Sequence, residues 1–236
     1  MKVDFSNYLF HASSWGNLFI GSKTGESMGE TCKKYLMRCY VEAKYGRKKD
    51  FTNKYIEKGL AVEEDSITLY SRVKKKFYKK NDQRLSNAYI TGELDSFEGD
   101  HVIKATTVIE TKSSWDIDTF YAVMGLPINK IYEWQCQGYM ALSGAKEAKL
   151  VYCLVDTPDA LINDAKRKLQ WKMGVIDPDA SPDYQEACLQ IEKEMIFSDI
   201  PIEERYIEFT LPRNDQKILE GYEQVKLCRE FLNKLP

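Results

Sequence analysis

The chain has 236 residues, of which 43% are hydrophobic, 12% aromatic and 30% charged, a composition typical of a globular protein and not of a disordered one. Lys and Arg total 34 against 36 Asp and Glu, a formal net charge of −2, which excludes nucleic-acid binding through bulk charge but allows a local basic groove. The two histidines, His11 and His101, lie in no zinc or triad motif, so any chemistry should depend on carboxylates and lysine.

The cysteines, the start of the chain and its hydropathy bear on the cellular compartment. The six cysteines include no C-x-x-C pair, which argues against a zinc ribbon. No basic segment followed by an apolar run opens the chain, and no stretch reaches the ~18 apolar residues of a membrane span. We therefore expect an intracellular, cytoplasmic protein with reduced thiols and no membrane association.

The N-terminal part of the chain is predicted to be helical. The first helix covers residues 27–45, where Ser27 caps the first turn with Glu30 as its capping-box partner, and it ends at Gly46. Apolar residues then recur at helical spacing, which predicts a second helical region over 52–79.

Residues that favour strands dominate the next part of the chain. β-branched and aromatic residues predict strands over 87–97 and 102–112, joined around residues 98–100. A predicted helix over 129–143 follows and ends at Gly144. The remaining predicted elements are a strand at 148–156, helices at 158–172 and 183–196, a strand at 205–211 and a helix at 214–234. This order predicts an α/β fold with a central mixed sheet flanked by helices.

Two carboxylates and a lysine carry the most distinctive chemistry. Gly92 and Asp95 stand three residues apart, and fourteen residues separate Asp95 from the run Glu110-Thr111-Lys112. Because side chains alternate along a strand, Glu110 and Lys112 share a face and Thr111 points the other way. If the two strands pair, Asp95 approaches Glu110, and two carboxylates can then hold Mg²⁺ against a phosphodiester. Lys112 can orient or deprotonate the attacking water, and we expect Gly92 to allow close backbone approach at the metal.

A solvated strand face is the other interpretation of these common residue types. Val108 and Ile109 directly precede Glu110, which favours a carboxylate that emerges from a buried strand over one on a surface ribbon.

The joint pattern resembles the PD-(D/E)XK nuclease superfamily and, more narrowly, the phage lambda exonuclease and YqaJ-like viral recombinase family. Its centre is the Gly-x-x-Asp at 92–95 and the Glu-x-Lys at 110–112, and it covers nearly the whole chain. The other matching segments are the helix glutamate in 59–63, the glutamine-bearing helix at 132–140, the strand running into 156–158, the serine motif at 12–14 and the last strand and helix at 205–234.

The resemblance implies a restriction-endonuclease-like core in a single nuclease domain over 1–236. Within it, residues 1–86 would form an N-terminal helical part and 87–158 the catalytic core. Residues 159–236 would form the C-terminal helices plus one strand.

The resemblance also implies roles for individual residues. Asp95 and Glu110 would bind the metal, the Thr111 carbonyl would complete its site, and Lys112 would position the attacking water. Glu63 would complete the acidic pocket, directly or through water.

A glutamine on the helix at 132–140 is expected to join that helix to the catalytic strand. We assign this role to Gln137, which would fix Lys112 or the nucleophile. Gln135 lies two residues away along the helix and is expected to face elsewhere.

Three groups of residues are candidates for contact with DNA. By the resemblance, Ser13, Ser14 and His11 would lie near a 5′-phosphate, although the family's arginine is missing because no arginine precedes Arg38. The basic stretch 72–84 would contact the DNA backbone through Lys75 and Lys76, or would form a solvated helix end. Trp115 would stack on a base or pack at the rim of the core.

Together the resemblance implies a Mg²⁺-dependent DNA exonuclease that digests one strand of linear duplex DNA from the 5′ end, for recombination by single-strand annealing. It implies two metal ions per site, with Mn²⁺ able to substitute. The implied partners are duplex DNA with a free end, a single-strand annealing protein and further copies of the chain in a ring such as a trimer. The gene would belong to a phage or prophage, and the protein would act in the cytoplasm of the bacterial host.

Two alternative functions remain open at this point. The first is a structure-specific endonuclease on the same fold. The second is a non-catalytic DNA-binding protein with a decayed nuclease site, against which the intact Asp95, Glu110 and Lys112 argue.

Overall fold

The structure, a computed structural model, describes residues 3–20, 28–48 and 53–236. Its strands are β1 (Phe10–His11), β2 (Leu85–Ser86), β3 (Ile90–Gly92), β4 (Ser96–Glu98), β5 (Thr107–Ser113), β6 (Glu147–Cys153) and β7 (Tyr206–Pro212). Its α-helices are α1 (Glu30–Tyr45), α2 (Lys54–Ala61), α3 (Glu63–Lys74), α4 (Ile117–Ala122), α5 (Lys130–Ser143), α6 (Asp159–Met173), α7 (Pro182–Met195) and α8 (Asp215–Asn233). No helix in these ranges is long and apolar enough to cross a membrane.

The main sheet has the strand order β4-β5-β6-β7. β5 and β6 run parallel, in register from Thr107 opposite Glu147 to Ser113 opposite Cys153, whereas β4 and β7 are antiparallel to their neighbours. The predicted α/β fold with a mixed sheet is therefore confirmed. A second, smaller sheet of order β1-β3-β2 was not predicted.

Helices cover both faces of the main sheet, which explains the nearly continuous apolar run in β6. On one face Val108 and Leu150 pack in a core shared with α5 and α8. On the other face Ile109 and Val151 pack against Ile67 of α3. Alternate residues of β5 therefore point to different helices, and the site residues of β5 are divided between the same two faces.

The helical N-terminal part differs from the prediction at its ends and in its middle. α1 begins at Glu30 with Gly29 as its N-cap. It ends at Gly46 as predicted, and this glycine has the left-handed conformation. Ser27 lies outside the described residues. The second region is two helices and not one, because the chain turns at Val62 between α2 and α3. This turn allows both helices to contact β5.

The predicted strand over 87–97 is also divided. Its first part, β3, pairs with β1 and β2, and its last part, β4, pairs with β5 in the main sheet. Asp95 lies in the bend between them. Residues 102–104 form a 3-10 turn instead of a strand, so β5 begins only at Thr107. The elements from α5 onward begin and end within three residues of their predicted positions, and α4 was not predicted.

Candidate active site

The two central motifs meet where β4 and β5 pair. Ser96 lies opposite Ile109 in the antiparallel register, which places Asp95 beside Glu110. The backbone N–H and the side-chain Oγ1 of Thr111 both donate to Asp95 Oδ2, at 2.8 and 2.9 Å. The structure therefore brings the two carboxylates together, and Thr111 fixes the orientation of one of them.

Glu110 is the most buried group of the site, with 1% of its surface exposed. Its Oε1 accepts hydrogen bonds from Lys112 Nζ at 2.5 Å and from Gln135 Nε2 at 2.7 Å. Its Oε2 is buried and has no hydrogen-bond partner. Because an unsatisfied buried carboxylate oxygen costs free energy, Oε2 marks a position where a cation would be stabilised.

The electrostatics of the site also favour a cation. Burial and then the nearby Asp95 raise the pKa of Glu110 to about 8. Burial likewise raises the pKa of Asp95, to which Glu63 contributes. Burial lowers the pKa of Lys112, but the charges of Glu110 and Asp95 outweigh it, so the net shift is upward and the lysine is protonated. When both carboxylates are ionised, their charge exceeds what Lys112 alone balances, so a cation would stabilise the ionised pair.

The donor set fits a hard metal ion held mainly by its non-protein ligands. Within the described ranges, no three His, Cys, Asp or Glu side chains converge closely enough to hold a metal by themselves. Asp95 and Glu110 are the two carboxylates that fit. The N–H and C=O of a strand residue point to the same side. Because the Thr111 N–H donates to Asp95, the Thr111 carbonyl also faces Asp95. Few protein oxygens, with water and phosphate as the other ligands, are typical of Mg²⁺ sites.

Glu63 lies at the first position of α3, close to this pair. Its charge contributes to the raised pKa values of both Asp95 and Glu110. Its Oε1 is 3.3 Å from the Nζ of Lys80. The structure therefore brings Glu63 to the acidic pocket, together with Lys80 of the basic stretch 72–84, whose position beside Glu63 was not predicted.

The two glutamines of α5 make the opposite contacts from those that we predicted. Gln137 Nε2 donates to Pro212 O at 2.9 Å, and its Oε1 accepts from Asn214 N at 2.9 Å. It therefore joins α5 to the β7–α8 connection, and the expected contact of Gln137 with the catalytic strand is wrong. Gln135 makes that contact through Glu110 and also reaches the Tyr139 hydroxyl at 3.2 Å. Because helix positions two residues apart point about 200° apart, only one of the two glutamines can face β5.

Gly92 also has a different role from the one expected. A Cβ at this position would lie 2.9 Å from Tyr139 Cε1 and 3.0 Å from the Ala12 Cβ. The close approach that requires glycine is thus between β3, α5 and the N-terminal segment, and not at the metal. Since Tyr139 binds Gln135, Gly92 acts on the site only through packing.

The serine motif lies in a pocket of about 540 Å³. His11, Ser13 and Ser14 line it, and β1 pairs with β3 so that His11 lies opposite Thr91, four residues before Asp95. Burial, followed by the charges of Arg84 and Lys48, lowers the pKa of His11. The pocket also has three cationic side chains, which are Arg38, Arg47 and Lys48. Basic residues that are distant in sequence therefore occur beside the serine motif.

Lys75 and Lys76 lie away from the carboxylates. α3 has 12 residues and is about 18 Å long, so these two lysines at its C-terminal end are one helix length from Glu63. Lys76 forms an ion pair with Glu98 at 3.0 Å, at the opposite end of β4 from Asp95. Of the basic stretch 72–84, Lys80 is the residue that reaches the acidic pocket.

Trp115 lies just beyond β5 against α2. The Nζ of Lys54 is 4.5 Å from its ring, and Tyr55 packs edge-on at 5.1 Å. The fully buried Lys58, which the sequence gave no reason to select, donates to the carbonyls of Ser114 and Trp115 at 2.8 and 3.1 Å. Burial lowers the pKa of Lys58 to about 8. This lysine holds the chain that follows β5.

The fold is thus an α/β fold with a mixed sheet, and it carries a carboxylate pair and a lysine where β4 meets β5. No family model and no curated protein match the sequence, but solved structures match the fold. One is a phage-related exonuclease from Haemophilus somnus 129PT, with a TM-score of 0.72, 22% identity, and 97% of this chain and 95% of that chain covered.

A second match is the alkaline exonuclease LHK-Exo from Laribacter hongkongensis. The TM-score is 0.62 at 14% identity, with 96% of this chain and 89% of that chain covered. The same exonuclease in complex with dAMP matches with a TM-score of 0.61 at 15% identity, covering 95% and 87%. These matches confirm the expected resemblance to phage exonucleases at the level of the fold.

Proposed function

We propose that the protein is a metal-dependent DNA exonuclease. The observation that carries this proposal is the buried Glu110, whose Oε2 has no hydrogen-bond partner, beside Asp95 and Lys112. Such a constellation suits hydrolysis of a phosphodiester, where a cation and an ammonium group balance the developing charge. The two proteins described above whose solved structures share this fold are named as exonucleases.

In this mechanism Asp95, Glu110 and the Thr111 carbonyl would hold Mg²⁺, with two ions per site and Mn²⁺ able to substitute. When bound, the metal would lower the pKa of the attacking water and balance the charge on the phosphate. Lys112 lies between Glu110 and the ring of Tyr132, whose centroid is 4.7 Å from its Nζ. From that position it orients the water for attack on phosphorus.

The residues around these groups prepare the site for the reaction. Gln135 donates to Glu110 Oε1, which leaves Oε2 of that carboxylate for the metal. Thr111 holds Asp95 Oδ2, and within the described ranges no hydrogen bond is made to Asp95 Oδ1. Glu63 completes the acidic pocket from α3. These contacts fix the carboxylates before substrate binds, so little reorganisation accompanies the reaction.

We assign a 5′-to-3′ direction to the reaction on one strand of linear duplex DNA. The pocket lined by His11, Ser13 and Ser14 contains hydroxyl and cationic groups, which suit a terminal phosphate. Arg38 lines this pocket and replaces the arginine that the family carries near its serine motif. Trp115 and the lysines Lys75 and Lys76 would contact the rest of the DNA.

Digestion of linear duplex labelled at either end, with and without a 5′-phosphate, tests this assignment. We expect Mg²⁺-dependent early release of the 5′ label as a mononucleotide, faster when the 5′-phosphate is present. Early release of the 3′ label would reverse the polarity. Internal cuts without end dependence would keep the metal site and make the protein an endonuclease, which nicks a covalently closed circle that an exonuclease leaves intact.

The proposed setting is recombination by single-strand annealing in the cytoplasm of a phage- or prophage-bearing bacterium. The 3′ overhang left by the reaction would be the substrate of an annealing protein. With a formal net charge of −2, the chain gains little affinity from bulk charge, so a ring of copies around the duplex, such as a trimer, would supply processivity. Sedimentation of a monomer both with and without DNA would exclude the ring.

A further inference from the structure

Lys80 lies against the acidic pocket, and the proposed mechanism does not use it. Its Nζ is 3.3 Å from Glu63 Oε1 and 3.7 Å from Glu64 Oε1. Burial lowers its pKa, but the charges of Glu63, Glu64 and then Asp95 outweigh this, so the pKa is raised and the side chain is charged. The side chain is 43% exposed, so its ammonium group remains accessible to a ligand.

The backbone around Lys80 is fixed relative to the catalytic bend. Asn81 N donates to Asp95 O at 2.8 Å, and Asn81 Nδ2 donates to Leu94 O at 3.1 Å. On the other side of Lys80 along the chain, the Lys79 carbonyl accepts a hydrogen bond from Ser96 Oγ at 3.0 Å. Residues 79–81 therefore run along the edge of the sheet beside Asp95. The backbone position of Lys80 is thus fixed by its neighbours and does not depend on the ion pairs of its side chain.

Lys80 and Lys112 approach the carboxylates from different sides. Lys112 contacts Tyr132 of α5, whereas Lys80 contacts Glu63 at the start of α3. Because α5 and α3 pack on opposite faces of the sheet, a phosphate at the carboxylate pair would have a cation on each side. Ion pairs as exposed as those of Lys80 contribute little free energy, so exchanging a carboxylate partner for a phosphate costs little.

We propose that Lys80 binds a backbone phosphate of the DNA strand at the active site. When DNA binds, this phosphate replaces Glu63 as the partner of Lys80. This inference rests on the proposed nuclease function. Glu63 is the partner of Lys80 in the free protein, so Glu63 and DNA compete for this lysine. A merely structural lysine would not show this coupling.

Direct binding measurements test this without depending on cleavage. In a Lys112→Ala background, the affinity for a fluorescent 5′-phosphorylated duplex is measured over a range of salt concentrations. We expect Lys80→Ala to weaken binding about 5- to 10-fold and to lower the magnitude of the slope of log K against log salt by about 1. Lys80→Arg should restore both the affinity and the slope. The matched control is Lys104→Ala, an exposed lysine in the loop at the far end of β5, which should leave both unchanged.

A double-mutant cycle with Glu63→Gln separates phosphate binding from general electrostatics. We expect Glu63→Gln to tighten DNA binding about threefold when Lys80 is present and to have a smaller effect in the Lys80→Ala protein. Equal effects in both backgrounds would overturn the exchange of partners. Unchanged affinity and slope in Lys80→Ala would overturn the contact itself. If the Lys112→Ala protein with an intact Lys80 binds no DNA, the proposed function fails instead.

Discussion

The carboxylate site and the pocket at the serine motif are assembled in different ways. Asp95, Glu110 and Lys112 come from two strands that adjoin in sequence and pair directly. The pocket joins β1 and the segment after it to α1 and the residues that follow that helix. The carboxylate site is thus built from neighbouring strands whose geometry is fixed by pairing, whereas the pocket gathers basic side chains from across the N-terminal part of the chain.

The largest effect is expected at the carboxylate site. Lys112→Ala should lower the cleavage rate by about 10³-fold, because it removes the group that orients water, while DNA affinity changes little. The measurement is the single-turnover rate together with a binding isotherm, and Lys104→Ala is the charge-matched control. Wild-type and Lys112→Ala proteins that cleave equally fast would show that the site is assigned to the wrong residues.

The two glutamines of α5 allow a sharper test within one helix. Gln135→Ala should lower cleavage about 10- to 100-fold, because it frees Glu110 to rotate. Gln137→Ala should instead lower the free energy of unfolding by roughly 1–2 kcal/mol, since it removes the contacts to Pro212 and Asn214. Rates and denaturant midpoints of both variants decide the matter, and equal loss of activity in both would remove the distinction.

The pocket should affect substrate choice and not the chemical step. Replacing Arg47 and Lys48 by alanine should raise KM for 5′-phosphorylated duplex about tenfold, because charge-assisted contacts to the phosphate are lost. KM for 5′-hydroxyl duplex and kcat should change little. Lys34→Ala, on α1 but outside the pocket lining, is the control. If phosphorylated and unphosphorylated substrates lose equally, the pocket does not recognise the end.

The smallest expected effect concerns stability without metal. The pKa of Glu110 is raised from 4.5 to about 8, so the folded state binds this proton more tightly than the unfolded state does. The resulting stabilisation is complete below about pH 4.5 and is lost as the pH rises to about 8. In EDTA, Glu110→Gln should therefore melt at a higher temperature than the wild type at pH 8. The difference should be about 2–4 °C for each kcal/mol by which the ionised carboxylate lowers the free energy of unfolding.

The same comparison at pH 5 serves as the control for this prediction. There the gap between Glu110→Gln and the wild type should be smaller, because the wild-type carboxyl is protonated. A gap that does not depend on pH would mean that Glu110 does not titrate in this range.

The sequence alone determined the order of the elements from α5 onward and the pairing of the two motifs. Helix ends such as Gly46 and Gly144 follow from local backbone preferences, and the shared face of Glu110 and Lys112 follows from strand alternation. The short distance between the two strands along the chain made their pairing predictable. These features depend on neighbours in the chain, which the sequence displays directly.

Tertiary structure decided which side chains complete the site. The faces of Gln135 and Gln137 depend on which side of α5 packs on β5, and the approach of Lys80 depends on an edge segment pairing with the bend at Asp95. The division of 87–97 between two sheets likewise depends on β1, which is about eighty residues distant. Contacts of this kind arise from packing between elements far apart in sequence, and local periodicity carries no information about them.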